Sequence, residues 1–260
     1  RKSSPEEESH GYPDLTEADA VFMSFARLSR DLKDIPFPTS NRANGPKVVA
    51  AVAAALAAEI PRYREKPLRG AMPGFAALLD APGPKKAAAR TDEEGPVTFR
   101  VPSLGALVVV NDVDHLSIQG VTGGTDLARA YATADALETA LSKHLVFAWD
   151  PTLGYLTADP DSVGTGLHAG AFLHLEGLHL IGELEPGLRG VEALKLVVCG
   201  VEAGGIRHAG HLFQVVNSAT LGLCEVDLVA QMKRVVDALV EQELNARLRL
   251  VDEMPRVLGD

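Results

Sequence analysis

The chain predicts an α+β fold, an antiparallel sheet flanked by helices. Short β-rich runs separated by glycine-rich turns are grouped through its second half. Segments with helical periodicity stand on either side of them. The two kinds of element do not alternate in the regular βαβ order that a parallel sheet requires.

Residues 1–20 are polar, charged and rich in turn formers (Arg1-Lys-Ser-Ser-Pro-Glu-Glu-Glu), which predicts a solvated arm or a strap on a partner. Residues 21–260 then make one domain. Pro36-Phe37-Pro38 breaks the segment that follows the arm. Lys47 to Glu59 is built of Ala, Val and Leu and stops at Pro61, which predicts a buried helix. Pro82 to Pro96 reads as a flexible loop of Gly, Pro, Lys and Glu. Leu107-Val108-Val109-Val110 is a continuous β-branched run, a buried strand. Gly123-Gly124-Thr125-Asp126 supplies a turn and a helix cap. From Asp126 to Leu145, apolar residues recur at 127, 130, 131, 134, 137, 141 and 145, the spacing of one helix face. Strand candidates follow at Gly154–Thr157, Ala169–Leu175, Leu194–Val198 and Leu212–Val216. A long helix spans Glu225 to Leu248, with Val226, Val229, Met232, Val236, Leu239 and Val240 on its apolar face. No internal repeat is visible.

Size and charge bound the function. The 260 residues suffice for one substantial domain, and no apolar run approaches the roughly 20 residues of a membrane span. A net charge of −10 argues against a nucleic-acid or anionic-membrane surface, and it sits awkwardly with holding ATP phosphates. Two cysteines, Cys199 and Cys224, make no disulfide framework; they read as core residues in a reducing, intracellular setting. Asp112 and Asp114 form a candidate acid–base pair. The bland reading, strand-end capping with no cationic partner, is preferred. Asp159 and Asp161 around Pro160 read as a polar turn rather than a metal site. His208-Ala209-Gly210-His211, with His174 and His179, lacks the tight spacing of a zinc site and reads as exposed. Gly123-Gly124 and Gly204-Gly205 are ordinary turns outside any phosphate-loop pattern. Arg27 and Arg30 divide evenly between a phosphate site and surface cations.

Several motifs, in order and at matching spacing, resemble one family. Asn111-Asp112-Val113-Asp114-His115-Leu116 resembles the Asn-Glu-Glu-Asp-His-Leu signature of the phosphagen kinases, which include creatine, arginine and protein-arginine kinases. Trp149-Asp150-Pro151-Thr152-Leu153-Gly154-Tyr155, Gly164-Thr165-Gly166-Leu167, Phe213 to Asn217 with Leu221-Gly222 and Glu225-Val226, and Val251-Asp252-Glu253-Met254-Pro255 are similar to further family segments. The likeness runs from about residue 20 to the C-terminus. It implies the guanidino-kinase catalytic domain fold without the separate N-terminal helical domain.

The resemblance also implies a dismantled site. The second Glu of the signature holds the substrate guanidinium; here it is Val113. Five arginines surround the moving phosphoryl group in the family. At their positions stand Phe25, Arg27, Ser117, His168 and Cys199, so Arg27 alone survives as a nucleotide-binding remnant. Asp159 replaces the family's reactive cysteine, and the acidic residue of the mobile loop falls near Gly205. Retained Asn111, Asp114, Gly154, Gly164, Gly166, Asn217 and Gly222 are residue types that set turns and caps. The expectation is a catalytically inactive scaffold subunit of a larger assembly, with no cofactor. Its protein partners would dock on residues 1–20 and on the face left by the absent helical domain. A mitochondrial or cytoskeletal complex fits such a subunit. The alternatives are a phosphotransferase using Mg-ATP, with Asp112, Asp114 or Asp159 as base, or a ligand sensor without turnover.

Overall fold

The computed structural model describes residues 16–60, 63, 68–69, 95–200 and 209–257. Their elements are α1 (Glu17–Ala20), β1 (Val21–Arg30), α2 (Gly45–Glu59), β2 (Leu68–Arg69), β3 (Val97–Val101), β4 (Ala106–Val110), β5 (Leu116–Gly123) and α3 (Leu127–Ser142). There follow β6 (Trp149–Asp150), β7 (Gly154–Tyr155), β8 (Leu167–His174), α4 (Glu176–Leu180), α5 (Leu184–Ala193), β9 (Leu196–Gly200), β10 (Leu212–Asn217) and α6 (Glu225–Val257). Eight strands form one antiparallel sheet in the order β2-β3-β4-β5-β1-β8-β10-β9, while β6 and β7 make a separate two-stranded hairpin. The expected α+β class and antiparallel sheet are found.

β1 lies near the middle of the sheet, paired with β5 on one side and β8 on the other. Its sequence, VFMSFARLSR, shows no hydrophobic–polar alternation because both of its faces are covered, and so it escaped the sequence reading. β3 and β5 escaped it too. The Gly154–Thr157 strand shrinks to the two residues of β7. Leu194, taken as a strand start, caps α5 and is 53% exposed.

The helices cover one face of the sheet. Ala26 and Leu28 of β1 point to it, in line with Ile118, Val108, Phe99, Leu167, Ala169 and Val215 of the other strands. α3 presents Leu127, Ala130, Ala134, Leu137 and Leu141, the stripe its spacing predicts, and Asp126 caps it by accepting the Arg129 N–H at 3.0 Å. α3 sits so close to β5 that a Cβ on Gly120 would lie 2.1 Å from the Ala130 carbonyl oxygen. α2 buries Val48, Val52, Ala55 and Leu56. α6 buries Leu228, Val229, Met232, Val236, Leu239 and Val240 and runs to Val257, beyond the predicted end. Val226, predicted on that apolar face, is 66% exposed, although Leu228 in the same turn is buried.

Three further expectations change. Residues 17–20, within the predicted arm, form α1, which buries Ala20; residues 1–15 lie outside the described residues, as do the 82–94 part of the predicted loop, His208 and Gly204-Gly205. Cys199 is half-buried on the edge strand β9, and Cys224 is exposed, its thiol donating to Asp227 at 3.2 Å, so neither is a core residue. Among the described residues no helix is long and apolar enough to cross a membrane.

Because backbone atoms leave no room at Gly120, Gly120→Ala is expected to cost roughly 1–3 kcal/mol of stability, at or above the upper end of that range. Gly123→Ala, whose added methyl meets nothing, should stay within about 0.5 kcal/mol. Urea midpoints of the two variants check this.

Candidate functional site

The face of the sheet opposite the helices carries the positions that the family resemblance singled out. In an antiparallel ladder, paired residues share a face and alternate residues along a strand share it too. Arg27 pairs with Gln119 and with His168; Ser29 pairs with Ser117. Phe25 lies opposite Val121 and Gly170, and Phe172, Gln214 and Cys199 form one row across β8, β10 and β9. Phe25, Arg27, Ser117, His168 and Cys199 therefore all stand on one surface, drawn from four strands far apart in sequence.

That surface is mostly apolar or neutral. Phe25 belongs to a small cluster with Met23, Phe172 and Val216, and its ring lies 5.6 Å from that of Phe172. The Ser117 hydroxyl accepts from Gln119 Nε2 at 2.9 Å. His168 Nε2 faces the Ser162 hydroxyl at 3.0 Å and Nδ1 faces the Asn217 carbonyl at 3.3 Å, contacts that fit the neutral Nδ1–H tautomer. Burial, reinforced by the charge of Arg27, pulls the His168 pKa down to about 4. Burial, with Glu192 next, pushes the Cys199 thiol up, so it too is uncharged near neutral pH.

Arg27 remains the cation of the five. Its Nε is buried and finds no hydrogen-bond partner among the described residues. Asp112 lies within electrostatic reach of both Arg27 and Arg42, which corrects the expectation that no cation stands near it. Burial raises the Asp112 pKa and the two arginines oppose that rise. An anion at Arg27 would thus meet the field of Asp112. One charge-assisted contact is worth about 1.5–3 kcal/mol, short of the roughly 4.1 kcal/mol that millimolar binding requires. Arg100, exposed on β3, shares the face but is three strands from Arg27, about 14 Å at the usual strand spacing.

The motif 111–115 is the hairpin between β4 and β5. Asn111 takes φ of 61° and donates from Nδ2 to the Gly45 carbonyl at 2.9 Å. Val113 stands near its tip, half-buried. Asp114 turns inward, is buried, and accepts the Ala158 N–H at 2.8 Å. Asp159 accepts the Asp161 N–H at 3.2 Å and so caps the short turn 160–162, the polar-turn reading.

Sequence reasoning missed several residues. Arg30 is neither a phosphate ligand nor a surface cation. It points into the helix-covered face, 2% exposed, with Nε 3.0 Å from Glu138 and Nη1 donating at 2.9 Å to the carbonyls of Ser29 and Thr165. Its guanidinium also stacks 3.5 Å above the Tyr155 ring. The three-residue offset from Arg27 puts Arg30 on the opposite face of the strand, which would have flagged this only if the strand itself had been recognised. Gln119 and Gln214, each with a buried Oε1 that has no partner among the described residues, also sit on the candidate face. At the far end of β8, His179 and His211 stack at 3.8 Å and His211 Nε2 lies 3.6 Å from Glu176. No group of three or more His, Cys, Asp or Glu among the described residues is disposed to hold a metal ion.

The His168 imidazole is expected to stay neutral, as the Nδ1–H tautomer, down to about pH 5, well below its ordinary pKa of 6.5. Arg27→Gln should raise its pKa while leaving it below 6.5, since burial is the larger cause. A depressed folded-state pKa means that the stability His168 contributes is present above 6.5 and lost as pH falls towards 4. Nitrogen-resolved NMR titration of the ring reads both effects.

Comparison with known proteins fits this architecture. The family profile for ATP:guanido phosphotransferase, C-terminal catalytic domain, matches residues 86–246. A protein-arginine kinase from Moorella thermoacetica is 34% identical over 247 residues, which cover 89% of this chain and 68% of that protein. One from Clostridium acetobutylicum is 33% identical over 153 residues, 59% of this chain and 45% of that one, so the match spans under half of that relative. Among solved structures, the duplicated taurocyamine kinase from Schistosoma mansoni with bound transition state analog components superposes with a TM-score of 0.69 at 22% identity, over 94% of this chain and 36% of that chain. Lombricine kinase superposes at 0.66 and 20% identity, over 90% and 68%. The names of the curated relatives favour the kinase alternative over the non-catalytic expectation. The fold is that of the phosphagen kinase catalytic domain, and the chain belongs to the ATP:guanido phosphotransferase family.

Proposed function

We propose that this chain is a non-catalytic member of the family that works as a protein-binding subunit of a larger assembly. The observation behind this reading is the electrical state of the candidate face. Arg27 is the single cation among its five family positions, a neutral His168 and an apolar Phe25 occupy two of the others, and Val113 offers no carboxylate to a guanidinium. Phosphoryl transfer asks a protein chiefly for position and positive charge. Each preorganised donor removed typically costs about 10²–10³ in rate, although such losses do not simply add. The residues at these positions therefore do not fit the triphosphate of Mg-ATP. Exposed Trp149, Leu153, Leu221 and Leu223 support a surface for protein contact, since the backbone at 164 packs closely against both 154 and 220–221.

A second reading is an active ATP:guanidino phosphotransferase, and the relatives named protein-arginine kinase support it. In that case Asp112 is the better-placed base, because it lies within electrostatic reach of Arg27 whereas Asp114 is buried against the Ala158 amide. Incubation with Mg-ATP and an arginine-rich protein, followed by detection of acid-labile phosphoarginine, separates the two. The first reading expects no product above that of Asp112→Asn. Product that disappears in Asp112→Asn establishes the second.

A further inference from the structure

Two buried carboxyl groups meet at one amide. Asp31, at the loop end of β1, and Asp114, in the β4–β5 hairpin, are 1% and 6% exposed. The Ala158 N–H donates to Asp31 Oδ2 at 3.0 Å and to Asp114 Oδ1 at 2.8 Å. One N–H cannot compensate two buried negative charges. A proton on Asp114 resolves the conflict, because a neutral carboxyl can donate to Asp31.

The surroundings leave few other partners. Asp31 Oδ1 accepts the His115 backbone N–H at 2.8 Å and lies 2.6 Å from His115 Nδ1, which in turn faces the Leu32 N–H at 3.1 Å. Ser29 of β1 offers its hydroxyl to Asp114. The titratable groups facing Asp114 are therefore Asp31 from β1 and, behind it, His115 from the start of β5; the 156–163 segment contributes the Ala158 amide. No described Lys or Arg pairs with either carboxyl group.

The amide they share has a consequence for the candidate face. Ala158 opens the stretch that carries Asp159 and Ser162, and the Ser162 hydroxyl meets His168 Nε2 at 3.0 Å. The far end of that stretch is tied by the Thr220 hydroxyl, which reaches the carbonyls of Asp161 at 2.9 Å and Val163 at 2.7 Å. At its near end the Leu156 N–H donates to the Ala148 carbonyl and Ala158 hangs on the carboxyl pair.

We propose that the Asp31–Asp114 pair is a proton-operated latch, holding the 156–163 segment closed against the sheet when protonated and loosening it when the proton leaves. Burial first, and the neighbouring Asp31 second, raise the Asp114 pKa from 3.8 to about 7, which puts the change in the neutral range. Because the folded pKa is raised above the unfolded one, the stabilisation is complete below about 3.8 and is lost as pH rises towards 7. The latch operates whether or not this face handles a nucleotide.

Amide hydrogen exchange on the full chain at about pH 6 and about pH 8, corrected for the intrinsic rate, tests it. Protection at Ala158 is expected to fall by about tenfold across that interval, while Leu137 in the core of α3 keeps its protection. Asp114→Asn and Asp31→Asn, each supplying a permanent neutral partner, should hold Ala158 protection constant. If one variant does not fold, the other carries the same expectation. Equal protection of Ala158 at both pH values in the parent, or an undiminished fall in the variants, overturns the proposal.

Discussion

The register of β1 between β5 and β8 is the constraint on which the rest depends. It fixes which side chains face the helices and which face away, and a shift of one residue would exchange the two sets. On the helix side it sends Arg30 to Glu138 and Tyr155, binding β1 to α3 and to the 154–166 region. A buried pair of this kind is a weak source of net stability but a costly one to break, because the surviving partner is left charged and unpaired. On the other side the same register lines up Phe25, Arg27 and Ser29, and with them everything the candidate face can do.

The two sides of the sheet have different characters. The helix side keeps close packing where no side chain is tolerated, as at Gly120 beneath α3. The opposite side has a small apolar cluster where charge would be needed for a polyanion, and buried amide oxygens of Gln119 and Gln214 that find no donor among the described residues. Unpartnered acceptors repel phosphate rather than attract it. The geometry of a guanidino-kinase domain and the chemistry of its face are therefore separable properties of this chain.

Much of this was legible in the sequence. The helices α2, α3 and α6 announced themselves by periodicity, and the family motifs lie in turns whose residue types are dictated by backbone shape, as with Asn111 at φ of 61°. β1 was not legible, since a strand buried on both faces has no period-2 signal. Arg30 and Asp31 could not be read for the same reason: their roles are set by Glu138, Ala158 and His115, which lie from 84 to 127 residues away in sequence. The cation beside Asp112 was hidden likewise, because the strand carrying Arg27 had not been placed next to that hairpin.

Calorimetric titration of Mg-ADP tests the central claim most directly, with the parent chain and a variant carrying F25R, S117R, H168R and C199R compared side by side. An almost uncharged face predicts no saturable heat from the parent up to about 1 mM, a binding free energy weaker than roughly 4.1 kcal/mol. The variant, if folded, should gain affinity. Saturable binding of Mg-ADP to the parent at micromolar concentration would contradict the account.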